Sequence, residues 1–378
     1  MTDDRPDNLD DIPVLTPLPA ADVGPAARRP GFGFWMAGVW CLVYLILSQI
    51  VVGGFVGVVG FFIVSSKLQN ERGGGLGPEQ AAAILASPEM AAWNVAATIS
   101  AHAAGILFAL LMLRINAGRS WYRKIALIRR PTITHVALVV IGFPALLAIV
   151  VVLEEWVNAH VPGIRDLFGI AGVSEAIAGL VGHPLPLVLF TIAVMPGIGE
   201  ELWCRGFLGR ALSARYGVLW AAVISSFYFG LIHVEPPQAI MAAFIGVFLY
   251  LAYAATRSML VPILMHFTNN ALGVIHMKED LNFPVLQPLE DAHARSPWLL
   301  LAGGLCLLSA VGYALYQTRC RLVPSTPGMP SWEPAGKGGV DLPPKKSGTI
   351  VDHDPLTPLS TGLVVVGAII FGLMIAFG

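Results

Sequence analysis

Residues 185–208 read LPLVLFTIAVMPGIGEELWCRGFL, and this stretch decides the fold. Fifteen residues with no charge run directly into Glu200-Glu201, and Arg205 follows four positions after the second acid. About 20 such residues, wound as a helix, cross ~30 Å of hydrocarbon. An ionisable side chain at bilayer depth costs roughly 2.5 kcal/mol or more, so an acid pair there marks a functional site by default.

Working outward, the same apolar texture recurs along the chain. Hydrophobic residues make up 56% and charged residues 12%, against roughly 25% charged in soluble domains, which excludes a soluble single domain. Runs near Phe34 to Ser65, Ala91 to Leu113, Ile133 to Trp156, Leu185 to Leu208, Val218 to His233, Ala239 to Thr256, Met259 to His276, Trp298 to Tyr316 and Leu363 to Phe377 are each long enough, or nearly so, to span. The expected fold is all-α, a polytopic transmembrane bundle of about eight core helices plus a C-terminal accessory helix.

The chain divides accordingly. Residues 1–32, rich in Asp and Pro, read as a disordered cytoplasmic tail rather than a signal peptide, because no basic start precedes an apolar core. Residues 33–183 carry the first three runs, and 184–277 carry every motif discussed below. An outer loop and the eighth helix occupy 278–321, a Pro/Gly-rich linker 322–360, and the last helix 361–378. Arg28, Arg29, six basic residues from Arg114 to Arg130, Arg205, Arg210, Arg215, Arg257, Arg319 and Arg321 are expected on one side of this arrangement, which places the N-terminus inside.

Net charge is −1 and nothing supports nucleic-acid binding; the basic loops suit a lipid bilayer. Four scattered cysteines, with no C-x-x-C pair, suggest neither disulfides nor a thiolate metal site.

Helical geometry sorts the polar residues. Glu201 and Arg205, four apart with the acid first, share a face and are expected to pair. Glu200 points about 100° away from its neighbour, so it faces a different surface. Beside a second acid and partly dry, its charged form is disfavoured, which suits a general base toward water; the alternative is that both acids decorate a helix end. Phe229 and His233 repeat the four-residue spacing, as do His266 and Asn270. Each pair alone also fits interhelical hydrogen bonding that only holds a bundle together.

Taken in order, Glu200-Glu201-Leu-Trp-Cys-Arg205, Phe229-Gly-Leu-Ile-His233 and His266-Phe-Thr-Asn-Asn270 form the pattern E-E-x-x-x-R, F-x-x-x-H, H-x-x-x-N. This resembles the CPBP family of intramembrane proteases, also called the type II CAAX prenyl endopeptidase or Abi family, over roughly Pro184 to His276. The resemblance implies a peptidase of the bacterial inner membrane acting on a membrane-associated or C-terminal peptide. In it Glu200 activates water, His233 assists, and His266 with Asn270 stabilises the oxyanion or holds the site, supported by Glu201, Arg205 and Phe229.

Cofactor use stays open between none and a divalent metal such as zinc, with Glu200, His233 and His266 as candidate ligands; the H-E-x-x-H helix motif is missing. No apolar run contains Asp, which excludes an aspartyl pair. The alternatives are a transporter or proton pathway built on the same Glu and His residues, or a non-catalytic scaffold. Depth raises one tension: with the fourth helix ending near Leu208 and the fifth starting at Val218, His233 falls nearer the outer surface than Glu200. Agreement improves if Ala211 to Trp220 lie along the inner interface and the fifth helix begins later, or if Pro196 and Gly197 kink the fourth helix.

Overall fold

The structure, a computed structural model, describes residues 31–72, 77–85, 87–161, 179–278, 286–334 and 339–378. The tail expected over 1–32 therefore lies outside the described residues, apart from residues 31 and 32. Among the described residues nine long or site-bearing helices follow one another: α1 Phe34–Asn70, α2 Pro88–Ala117, α3 Ile133–His160, α4 Leu185–Tyr216, α5 Val218–Leu231, α6 Pro236–Thr256, α7 Leu260–Met277, α8 Pro297–Gln317 and α9 Pro358–Phe377. Seven of them are long and apolar enough to cross a membrane, which makes the chain an integral membrane protein with an all-α bundle. The two exceptions, α5 and α7, are the helices that carry the histidine motifs. The first has only 14 residues, and the second is diluted by His266, Thr268, Asn269, Asn270 and His276.

The starts of several helices are written in the sequence. Ser87, Thr132, Glu235 and Thr357 each accept a hydrogen bond from a backbone N–H in the first turn. Three of these caps are followed at once by a proline, whose missing N–H is no loss at that position.

Odd-numbered helices begin, and even-numbered helices end, at one basic end of the bundle. There Phe34 N donates to the Tyr216 hydroxyl, Tyr253 to the Ile125 carbonyl, Arg129 to the Thr256 carbonyl and Arg257 to the Cys320 carbonyl. The most buried of the spanning helices is α6, with 56% of its apolar window enclosed, against 17% for α1 and 22% for α9. One face, with Ile245, Phe248, Leu249 and Ala252, joins the core made with α3 and α8. The other, with Ala242, Tyr250 and Tyr253, joins the core of α1, α2, α4 and α5. On the periphery, Trp35, Phe55 and Phe62 of α1 and Leu363, Ile369 and Phe377 of α9 stand exposed, as lipid-facing side chains do.

Residues 322–360, expected as a linker, contain ordered pairing. Strands β1 Cys320–Pro324 and β2 Thr349–His353 form an antiparallel ladder from Cys320 opposite His353 to Pro324 opposite Thr349. Leu322-Val323 and Ile350-Val351 supply β-branched and apolar residues that the surrounding Pro, Gly and Lys content obscured. The stretch between them also docks on the basic end, where Leu342 N donates to the Arg123 carbonyl and the Arg123 guanidinium reaches the Pro343 carbonyl.

The depth tension resolves through α4. The helix does not stop at Leu208 but runs to Tyr216, and α5 begins at Val218. Gly217, at φ 82°, makes the reversal in a backbone conformation that suits glycine. Glu200 lies 17 residues before this turn and His233 16 residues after it. At ~1.5 Å per residue both stand about 25 Å from the turn, so an antiparallel hairpin brings them level.

Candidate functional site

Around the acids α4 departs from regular winding. Wide π turns cover Leu189–Val194 and Leu202–Leu208, on either side of the α-helical segment Met195–Glu201. Such bulges are frequent at functional sites. The first has a visible chemical cause: Pro196 has no N–H, so the carbonyl four residues earlier, Ile192, loses its ordinary helical donor. Asn270 of α7 supplies a replacement, donating from Nδ2 at 2.9 Å.

The expected Glu201 and Arg205 pair is present at 2.9 Å, with both side chains fully buried. Glu201 Oε1 also accepts from His266 Nδ1 at 2.9 Å, and Arg205 donates its other nitrogen to the Gly246 carbonyl of α6 at 3.0 Å. One carboxylate thus ties α4 to α7, and its arginine ties α4 to α6. Because a carboxylate oxygen only accepts, His266 carries a proton on Nδ1, which leaves Nε2 to face the site.

His233 sits just beyond the end of α5. Its Nδ1 donates to the Phe229 carbonyl at 2.8 Å, so its Nε2 also faces inward. Val234, next in the chain, holds φ 63°, a strained conformation for a β-branched residue. Glu235 then caps α6 through Gln238 N, so the backbone reverses within three residues of the imidazole. Phe229 lies between the polar groups. The Arg205 guanidinium stands 4.3 Å above its ring, and the His233 and His266 rings meet it edge-on at 5.0 and 5.4 Å. A cation over an aromatic face is favourable where water is excluded.

Glu200 faces this enclosure. Its Oε2 is 3.9 Å from His233 Nε2 and 4.0 Å from His266 Nε2, too far for direct hydrogen bonds. That oxygen is buried and has no hydrogen-bond partner. The structure therefore brings Glu200, His233 and His266 together, with Glu201, Arg205 and Phe229 behind them. Asn270 is turned onto the Ile192 carbonyl, a holding position, and Asn269 donates to its Oδ1. The donor types around Glu200 are those zinc accepts, yet among the described residues no group of three or more His, Cys, Asp or Glu is arranged to hold a metal ion.

Three neighbours were missed from sequence. His102 of α2 feels the charges of Glu200, His266 and His233, and Ile106, one turn further along α2, packs against Gly199 beside Glu200. Tyr44 of α1, stacked on Trp203 at 4.7 Å, is also within electrostatic reach of Glu200. The signal for His102 was available: it is the lone ionisable residue in the run Ala91 to Leu113.

A spanning bundle that shields two acids, an arginine and two imidazoles from lipid defines a polytopic membrane protein with an embedded acid and imidazole centre. Residues 182–272 match the family described as type II CAAX prenyl endopeptidase Rce1-like. The chain is also similar to the Bacillus subtilis (strain 168) protein named "Putative membrane peptidase YdiL", 29% identical over 143 residues. That alignment covers 37% of this chain and 56% of the relative, so the shared segment spans little more than half of the relative's length. No solved structure matches the chain. The matched segment encloses all three motifs, so the likeness to that family covers residues 182–272 and the acid and imidazole centre within them.

Proposed function

We propose that the chain is an intramembrane endopeptidase in which Glu200 activates water for attack on a peptide bond. The observation that carries this reading is the unpartnered, buried Oε2 of Glu200, at 3.9 and 4.0 Å from two imidazole nitrogens. Those separations suit a water oxygen bridging the three groups.

In the proposed reaction Glu200 takes a proton from water while His233 Nε2 accepts the other hydrogen and fixes the water's orientation. The water oxygen bonds to the scissile carbonyl carbon, and the carbonyl electron pair moves onto oxygen. His266, held by Glu201 at Nδ1, faces this oxyanion with Nε2 and donates to it when that nitrogen also carries a proton taken from solvent. When the electron pair returns, the C–N bond breaks and the proton on Glu200 passes to the leaving amine. No step is routed through a metal. Asn270 and Phe229 act by position, the first fixing α7 on α4 and the second keeping the two rings apart.

The proposed substrate is a membrane-associated or C-terminal peptide segment, and the proposed setting is a bacterial inner membrane with the basic end cytoplasmic. Orientation follows from Arg and Lys gathering at one end of the bundle. The test uses the purified full chain in proteoliposomes with a lipid-tethered fluorogenic peptide in ¹⁸O-labelled water. Cleavage should place one labelled oxygen in the new carboxylate, and Glu200→Gln should lose roughly 10³-fold in rate, as for removal of a general base. Retained cleavage in Glu200→Gln, or ion flux lost in that variant without any peptide cleavage, refutes the reading.

A further inference from the structure

A cavity of about 540 Å³ opens at the basic end, remote from Glu200. Its walls come from the start of α5 (Val218), the last turns of α6 (Phe248, Leu251), the last turns of α8 (Leu315, Tyr316), β1 and residues 339–340. The lining includes Arg257, Arg319 and Arg321 but no acidic residue. Glu200 precedes the Gly217 turn by ~25 Å of helix, whereas Val218 immediately follows it, so the two sites occupy different levels of the bundle.

The three arginines differ in their partners. Arg257 donates to the carbonyls of Cys320 and Asp341, each at 3.2 Å. Arg319 donates to the Tyr316 carbonyl and lies 4.1 Å over the Tyr316 ring. Neither has a carboxylate within ion-pair distance among the described residues. Arg321 pairs with Asp354 at 2.8 Å on the exposed face, and the Asp341 carboxylate faces Arg210 at 3.8 Å. Burial pulls the Arg257 guanidinium below its ordinary pKa, a condition that a bound anion relieves.

Apolar walls that continue into lipid-facing helices, topped by guanidinium groups where two spanning helices end, match an amphiphile with an anionic head. We infer that this cavity binds an anionic phospholipid. Its phosphate lies between Arg319 and Arg257, and an acyl chain runs along Val218, Phe248, Leu251 and Leu315. The volume exceeds what a phosphate alone would fill, and basic pockets between spanning helices take such head groups. Bound there, the lipid joins α5, α6 and α8 to the β1–β2 hairpin.

Native mass spectrometry and thermal unfolding of the full chain in nanodiscs of phosphatidylglycerol or phosphatidylcholine test this. Retained phosphatidylglycerol and a raised Tm are expected in the anionic discs only. Arg319→Gln combined with Arg257→Gln should weaken retention by tenfold or more, while Arg119→Gln, an exposed cation of the same end, should change it less than twofold. Leu251→Trp, which fills the apolar wall and keeps every charge, should also displace the lipid, and it decides the matter if the double variant does not fold. Equal retention of both lipids, equal loss in Arg119→Gln, or full competition by inorganic phosphate would overturn the inference.

Discussion

Asn270 and Pro196 should behave as one unit. Pro196 deprives the Ile192 carbonyl of its helical donor, and Asn270 Nδ2 meets that carbonyl at 2.9 Å. Replacing Asn270 by Ala leaves a carbonyl short of a partner in the protein interior, a loss of ~1–3 kcal/mol by the general cost of an unsatisfied buried group. Membrane helices measure lower, with an average near 0.6 and a maximum of about 1.7 kcal/mol, so we expect about 1–1.5 kcal/mol. Pro196→Ala restores an N–H four residues after Ile192, and in that background Asn270→Ala should cost less than about 0.5 kcal/mol. The assay is a double-mutant cycle on reversible unfolding in mixed micelles, with folded fraction followed by Trp fluorescence. If Asn270→Ala costs the same with proline or alanine at 196, the carbonyl is not what Asn270 serves, and the explanation of the first wide turn fails with it.

Other outcomes follow from the same geometry. Glu201→Gln should lower stability by roughly 3–5 kcal/mol, because it strands the fully buried Arg205, whereas Glu200→Gln, which has no direct partner, should stay within about 0.5 kcal/mol; parallel melts of the two variants check this, and equal losses refute it. Gly230→Ala places a methyl group against the Ala239 carbonyl, forcing α5 from α6 at a cost of about 1–3 kcal/mol, read as a lowered Tm together with reduced peptide cleavage. Cleavage by the proteoliposome enzyme should survive dialysis against chelator, and activity lost on chelation but restored by zinc would show that a metal completes the site. Phe229→Leu should keep the fold but lose about 1 kcal/mol from the Arg205 contact, seen as a small fall in Tm.

The helical class, the nine runs and the Glu201 and Arg205 pair were legible because each depends on local sequence. Apolar length defines a span, and a spacing of four defines a shared helical face. What escaped depends on contacts between distant segments or on small changes in winding. Nothing local says that Glu201 would serve His266, 65 positions later, as well as Arg205. The continuation of α4 to Tyr216 was hidden by Arg210, Ser213 and Arg215, which read as a loop although they only mark the helix leaving the apolar layer. The strands at 320–324 and 349–353 were concealed by the low-complexity residues between them, since pairing across 24 residues leaves no periodic trace. His102 was passed over for a different reason, namely that a single histidine belongs to no spaced motif.

The brevity of α5 carries a consequence for supply. Fourteen residues rise only ~21 Å, short of the ~30 Å hydrocarbon thickness, and the non-helical peptide groups of residues 232–235 follow before α6 begins. Irregular backbone at that level persists only where protein encloses it or an aqueous channel reaches it. The shortened helix thus sets non-helical backbone next to His233, where one of these two conditions must hold. In the proposed hydrolysis water is the second reactant and must come to His233, and the end of α5 is the break in the apolar span beside that residue.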